Sequence, residues 1–117
     1  MMAPPSVNQI YCADCVPGMR QHLPDGCVDV VVTSPPYNIG VRYNTHDDNL
    51  PFDEYLGWME QVAVECRRVL KEEGSFFFNI GDRASDELRS LQVAERIGRH
   101  FRLQNTIHWI KSIAAPE

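Results

Sequence analysis

An α/β fold with a mostly parallel sheet and flanking helices is the class this sequence predicts, and three observations predict it. Val28-Asp29-Val30-Val31-Val32-Thr33 and Ser75-Phe76-Phe77-Phe78-Asn79-Ile80 are short apolar runs rich in β-branched or aromatic residues, each closed by turn-forming residues. Between them, Phe52, Tyr55, Leu56, Met59, Val62, Ala63, Cys66, Val69 and Leu70 follow one another in helical steps. Strands that alternate with helices form parallel βαβ units. The predicted order is β-α-β-loop-α-β-α-β within a single domain, residues 1–117.

Taken in order, residues 1–6 read as a frayed tail, and Gln9-Ile10-Tyr11-Cys12 as a short first strand. Val16 to Leu23 reads as a helix, with Asp14 or Cys15 near its N-cap and Pro17 tolerated in the first turn. Pro24-Asp25-Gly26 is a turn, with Gly26 suited to positive φ. Val30, Val31 and Val32 read as a strand buried on both faces. Residues 38–49 are polar and turn-rich, a long loop expected to cover or flank a site.

The next helix places Glu60, Glu65, Arg67, Arg68 and Lys71 on its solvent side and is expected to stop at Gly74. Ser85 to His100 reads as a further helix with Ser85 as N-cap, Phe101 to Ile110 as a final strand, and Lys111 as an exposed charge.

Composition narrows the function classes. The formal charge of −5 argues mildly against an extended nucleic-acid surface within these residues. No apolar run approaches a membrane span, and the first residues lack a basic region followed by an apolar core, so a cytoplasmic protein is expected. Cys12-x-x-Cys15 has no second pair, so reduced thiols are expected and no metal site.

The chemistry concentrates at Thr33-Ser34-Pro35-Pro36-Tyr37. Two prolines end the strand, fix their own φ and remove two backbone donors. Ligands of open α/β sheets sit at such carboxyl ends of strands. Asp29 reads as a strand-entry charge, Arg42 as a solvated loop cation ahead of a phosphate contact, and Asn79, Gly81 and Asp82, adjacent to the corner in such a sheet, as an ordinary turn ahead of a pocket lining.

This motif after a buried strand resembles that of the DNA methyltransferases that modify exocyclic amines, whose core is Ser/Asp/Asn-Pro-Pro-Tyr/Phe. Leu23-Pro24-Asp25-Gly26-Cys27-Val28-Asp29 and Ile107-His108-Trp109-Ile110-Lys111-Ser112 are similar to the surroundings of the motif in that family, and the likeness runs over roughly residues 8–112. The resemblance implies a Rossmann-like S-adenosylmethionine-dependent fold, double-stranded DNA as partner, and Ser34, Pro35, Pro36 and Tyr37 as the catalytic residues. On that reading the target amine is a poor nucleophile because its lone pair is delocalised into the base, and Ser34 Oγ with the Pro35 carbonyl would accept from its N–H groups and favour the localised form. Tyr37 would stack on the base turned out of its duplex. The resemblance also implies that Asp14 lies near the cofactor's adenine, a role that stands beside helix capping.

The family's glycine-rich cofactor turn has no counterpart, since no Gly-x-Gly occurs in the chain. The sequence therefore resembles the first, catalytic half of the permuted, catalytic-half-first group, without the cofactor half and the target-recognition region. A partial domain of this kind is expected to self-associate or to take up a complementing C-terminal half. Ser before Pro-Pro leans toward N4 of cytosine. N6 of adenine, or an orphan half-domain acting only as a binding module, are the alternatives.

Overall fold

A computed structural model describes residues 7–110. The readings of Met1 to Ser6 as a tail and of Lys111 as exposed, and the match at Ser112, lie outside the described residues. The elements are α1 (Cys15–His22), β1 (Val28–Thr33), α2 (Phe52–Val69), β2 (Leu70–Phe78) and α3 (Arg89–Ile97). β1 and β2 pair in parallel, with Val30 opposite Ser75 and Thr33 opposite Phe78. The predicted α/β class, with a parallel strand pair and flanking helices, is the one observed.

The core forms where α2 meets α1, α3 and one face of the sheet. Tyr55, Met59, Ala63 and Val93 are fully buried, joined by Val16, Leu56, Val62, Cys66 and Ile97. Val31, Phe76, Phe78 and Ile80 pack onto this cluster from the sheet side. Arg68 ties the amino-terminal segment to α2, donating to the carbonyls of Met19 and Leu23 and to Asp25. Glu65, expected on the solvent side, is instead buried, because Arg68 Nε at 2.9 Å and Arg20 Nε at 3.5 Å neutralise it there.

Several expectations are corrected. Gly74 does not stop the helix: α2 ends at Val69, and Leu70 turns directly into β2 because both side chains stay buried. Gly74 lies instead beside the register shift between Val28 and Val30, where a Cβ would come 2.8 Å from Leu70 Cδ2 and 3.1 Å from the Asp29 carbonyl oxygen. Gly26 does take positive φ, at 61°.

Gln9 to Cys12 and Phe101 to Ile110 are not strands, because a strand needs a hydrogen-bonded neighbour and none pairs with them among the described residues. Tyr11 stacks on His22 of α1 instead, and the last helix is shorter than expected, beginning at Arg89. Asp82, not Ser85, binds its first turn, accepting from Ser90 N and Ser90 Oγ.

β1 is covered on one face only. Val31 packs on the core, whereas Val30 and Val32 are 51% and 76% exposed and the neighbouring Phe77 is 50% exposed. Side chains alternate across a strand, and the helices that contact the sheet bury only the face that carries Val31, Phe76 and Phe78.

Candidate active site

The parallel register places the ends of β1 and β2 side by side. Asn79 N donates to the Thr33 carbonyl at 2.9 Å, which carries the pairing one step past the strands and brings Asn79 next to Ser34. Ser34 Oγ and Tyr37 Oη are 3.0 Å apart. Asn79 Nδ2 donates to both, at 3.3 Å to Ser34 Oγ and 2.8 Å to Tyr37 Oη. Three polar side chains thus converge at the carboxyl end of the sheet, with Ser34 exposed and Tyr37 half-buried.

The Tyr37 ring packs against Gly81, just after β2, where a Cβ would stand 3.0 Å from Cε2 and 3.1 Å from Cδ2, tighter than ordinary contact, so glycine lets the ring approach this closely. The corner is held from below by Tyr55, whose hydroxyl donates to the Pro36 carbonyl at 2.6 Å. Burial first, then the charge of Asp48, pushes the Tyr55 phenol up to about 12, so it stays a neutral donor. With the Pro36 carbonyl occupied, the Pro35 carbonyl accepts no hydrogen bond among the described residues.

The loop after the motif is cinched rather than open. Asn38, at φ 61° and 1% exposed, donates to the Leu50 carbonyl and accepts from Leu50 N. The buried Asp48 carboxylate accepts from the backbone N–H groups of Asn38, Ile39 and Val41 at 2.9–3.1 Å. Arg89 closes the arrangement from α3, donating to the Asn38 carbonyl, pairing with Asp86 and lying over the Phe52 ring at 4.7 Å. Arg42 pairs through its backbone with Asp47 in the outer part of this loop.

Of the residues singled out in the sequence, the structure brings Ser34, Pro35, Pro36 and Tyr37 into one corner. Asp14 is not drawn into it. Asp14 is exposed at the start of α1, where its side chain makes no capping bond and its carbonyl accepts from Gly18 N. Asp29 pairs with Lys71 at the opposite end of the strands. Sequence reasoning treated Asn79 and Gly81 as a turn and Tyr55 as one apolar residue of a helical stripe. The signal that finds Asn79 is register: once the two strands pair in parallel, the residue after β2 must stand beside the residue after β1.

The described residues do not by themselves fit S-adenosylmethionine. Around the corner stand neutral hydroxyl and amide groups, Asp14 is the exposed carboxylate singled out for the cofactor, and the chain has no glycine-rich turn to admit a nucleoside's backbone contacts. What this geometry can do chemically is accept hydrogen bonds from an amine and offer an aromatic face beside it.

No helix among the described residues is long and apolar enough to cross a membrane. Comparison with known proteins matches residues 28–117 to the model of the N6/N4 DNA methylases. The chain is 38% identical to the Type II methyltransferase M.BglII of Bacillus subtilis over 112 residues, which cover 90% of this chain and 29% of that protein. It is 38% identical to the Type II methyltransferase M.MjaVI of Methanocaldococcus jannaschii over 93 residues, 74% of this chain and 47% of that protein. A match of 36% identity to the DNA adenine methyltransferase YhdJ of Escherichia coli covers 47% of this chain and 19% of that protein. The chain thus spans less than half the length of these relatives. With a family match that begins at β1 and takes in the Ser34–Tyr37 corner, the chain belongs to the N6/N4 DNA methylase family.

Proposed function

We propose that the chain is the acceptor-base half of a site-specific DNA methyltransferase. The whole enzyme transfers a methyl group from S-adenosylmethionine to the exocyclic amine of a base flipped out of double-stranded DNA. The observation that carries this reading is the convergence of Ser34 Oγ and Tyr37 Oη with Asn79 Nδ2 at the end of β1, next in the chain to a Pro35 carbonyl that accepts no hydrogen bond among the described residues. Ser34 and the Pro35 carbonyl accept from the two amine N–H groups, which localises the nitrogen lone pair. The Tyr37 face holds the base, and the prolines together with Tyr55 fix the acceptor directions before the base arrives. S-adenosylmethionine would supply the methyl sulfonium when bound, with Asp14 near its adenine and the glycine-rich turn that this chain lacks supplied by a complementary half.

Ser34 favours N4 of cytosine, since a hydroxyl serves as the acceptor where adenine-directed relatives of the motif carry Asp. N6 of adenine is the second reading, favoured by the likeness to the adenine methyltransferase YhdJ. The bare face of Val30, Val32 and Phe77 supports the half-domain reading, because an apolar parallel strand ordinarily has cover on both sides. Calorimetry on the 117-residue chain should detect no S-adenosylmethionine binding, and micromolar binding would overturn the half-domain reading. Mass spectrometry of nucleosides from DNA treated with the chain plus its complementary half should show N4-methylcytosine. N6-methyladenine alone would overturn the cytosine preference, and no methylated base at all would overturn the enzymatic reading.

A further inference from the structure

The hydroxyls of Ser34 and Tyr37 and the carboxamide of Asn79 form a closed triangle, and its hydrogen count is restrictive. The two hydrogens on Asn79 Nδ2 go to the two hydroxyl oxygens. One hydroxyl must then donate to the other across the 3.0 Å between them. An alcohol oxygen offers one donor and two lone pairs. If Tyr37 donates to Ser34, both lone pairs of Ser34 are filled and its own proton points outward, toward an arriving N–H. If Ser34 donates to Tyr37, one lone pair of Ser34 remains open. Only the second sense lets Ser34 accept from an amine.

We propose that Asn79 is a positioning residue that, by donating to both hydroxyls, leaves the Ser34 proton no acceptor within the triangle but Tyr37 Oη, and that Tyr37 Oη accepts the hydrogen bond from Ser34 when an amine-bearing nucleobase binds. This inference rests on the acceptor-base reading of the corner. It gives the Tyr37 hydroxyl a task separate from stacking. Once a base covers Ser34 and removes water from it, the serine proton needs a partner inside the site, and Asn79 Nδ2, a donor, cannot be that partner.

Two substitutions shift the triangle in opposite directions. Tyr37→Phe keeps the ring and removes the acceptor, so the Ser34 proton is stranded when the base covers it. Asn79→Asp replaces a donor by an acceptor, takes the Ser34 proton itself and frees both Ser34 lone pairs. A merely structural role for Asn79 would make any substitution unfavourable.

The test is a titration of the 117-residue chain with 1-methylcytosine and 9-methyladenine, followed by amide NMR, with 1-methylthymine as the base that lacks an exocyclic amine. Shifts confined to residues 34–38 and 79–81 are expected with the amine-bearing bases. The net worth of one hydrogen bond sets the scale. Asn79→Asp should tighten binding, and Tyr37→Phe weaken it, by about two- to tenfold each. In the double variant Ser34→Ala with Asn79→Asp the gain should vanish; a gain that persists would show the new carboxylate binding the amine directly and would overturn the proposal. Unchanged spectra away from the corner establish that each variant is folded. If the amine-bearing bases bind no better than 1-methylthymine, the acceptor-base reading itself fails. If they do bind better but neither single variant changes their affinity, the positioning role fails and the reading of the corner survives.

Discussion

Replacing Tyr55 by Phe removes one oxygen and leaves the rest of the α2 packing in place. The ring keeps its neighbours, Phe52 and Trp58, with centroids 6.4 and 6.1 Å away. What is lost is the 2.6 Å bond to the Pro36 carbonyl, an acceptor that the buried phenol covers and water does not easily replace. A buried acceptor left without its donor costs about 1–3 kcal/mol, partly offset because the hydroxyl no longer needs desolvation, so a loss of about 1–2 kcal/mol is expected. With a urea m-value of about 2 kcal/mol/M, the unfolding midpoint should fall by about 0.5–1 M at unchanged m.

The alkaline limb supplies a second reading of the same bond. The phenol is raised from an ordinary value of about 10 to about 12 in the folded protein, so its contribution is complete below pH 10 and disappears as pH rises through 12. Wild type should lose stability across that window by more than Tyr55→Phe does. A midpoint shift under about 0.2 M, with parallel alkaline limbs, would refute the claim that Tyr55 holds the corner.

Three further perturbations probe the supports of the same site. Asp48→Asn leaves one acceptor oxygen for the backbone N–H groups of Asn38, Ile39 and Val41, and should cost about 2–4 kcal/mol in urea unfolding, with faster hydrogen exchange at those amides. Gly81→Ala places a Cβ 3.0 Å from the Tyr37 ring, so the ring must give by a few tenths of an ångström; shifted Tyr37 ring resonances and weaker nuclear Overhauser contacts between Tyr37 and Asn79 at near-normal stability are expected. Glu60 is held below its usual range by the hydrogen bond to His100, then that to Arg96, so the stability it contributes is present above the ordinary carboxylate pKa and lost as pH falls through the lowered one. The stability gap between wild type and Glu60→Gln, measured by urea unfolding from pH 7 to pH 3, should therefore shrink toward the acid end.

The α/β class was legible because two apolar runs and one helical stripe carry distinct periods, and α2 begins at Phe52 as the stripe does, though it ends at Val69 and not at Gly74. The corner was legible for a different reason: Pro35 and Pro36 allow few backbone paths, so the sequence nearly dictates its shape. What escaped was whatever depends on partners distant in sequence. Glu65 looks solvent-facing until Arg20 and Arg68 are seen beside it. Asn79 looks like a turn residue until parallel pairing carries it to Ser34, and Asp48 looks like one loop acid among several until three backbone N–H groups point at it. The expected strands at Gln9–Cys12 and Phe101–Ile110 failed by the same logic, since local propensity proposes a strand but only a neighbour's hydrogen bonds make one.

The placement of the corner's supports bears on how a divided enzyme could work. Tyr55 comes from α2, Asn79 and Gly81 from the end of β2, and Asn38 and Asp48 from the loop after the motif. Tyr55 holds the corner from the core side, whereas Ser34 and Asn79 follow Val32 and Phe77 in the strand alternation and so border the bare apolar face. The groups proposed to receive the base are thus fixed by contacts within residues 34–89, beside an apolar face that is free to receive another layer. On the proposed function, adding a complementary half should bring methyl-donor binding, protect Val30 and Val32 from solvent and shift the Ser34 and Asn79 resonances that border them, while leaving the Tyr55 resonances where they stand in the chain alone.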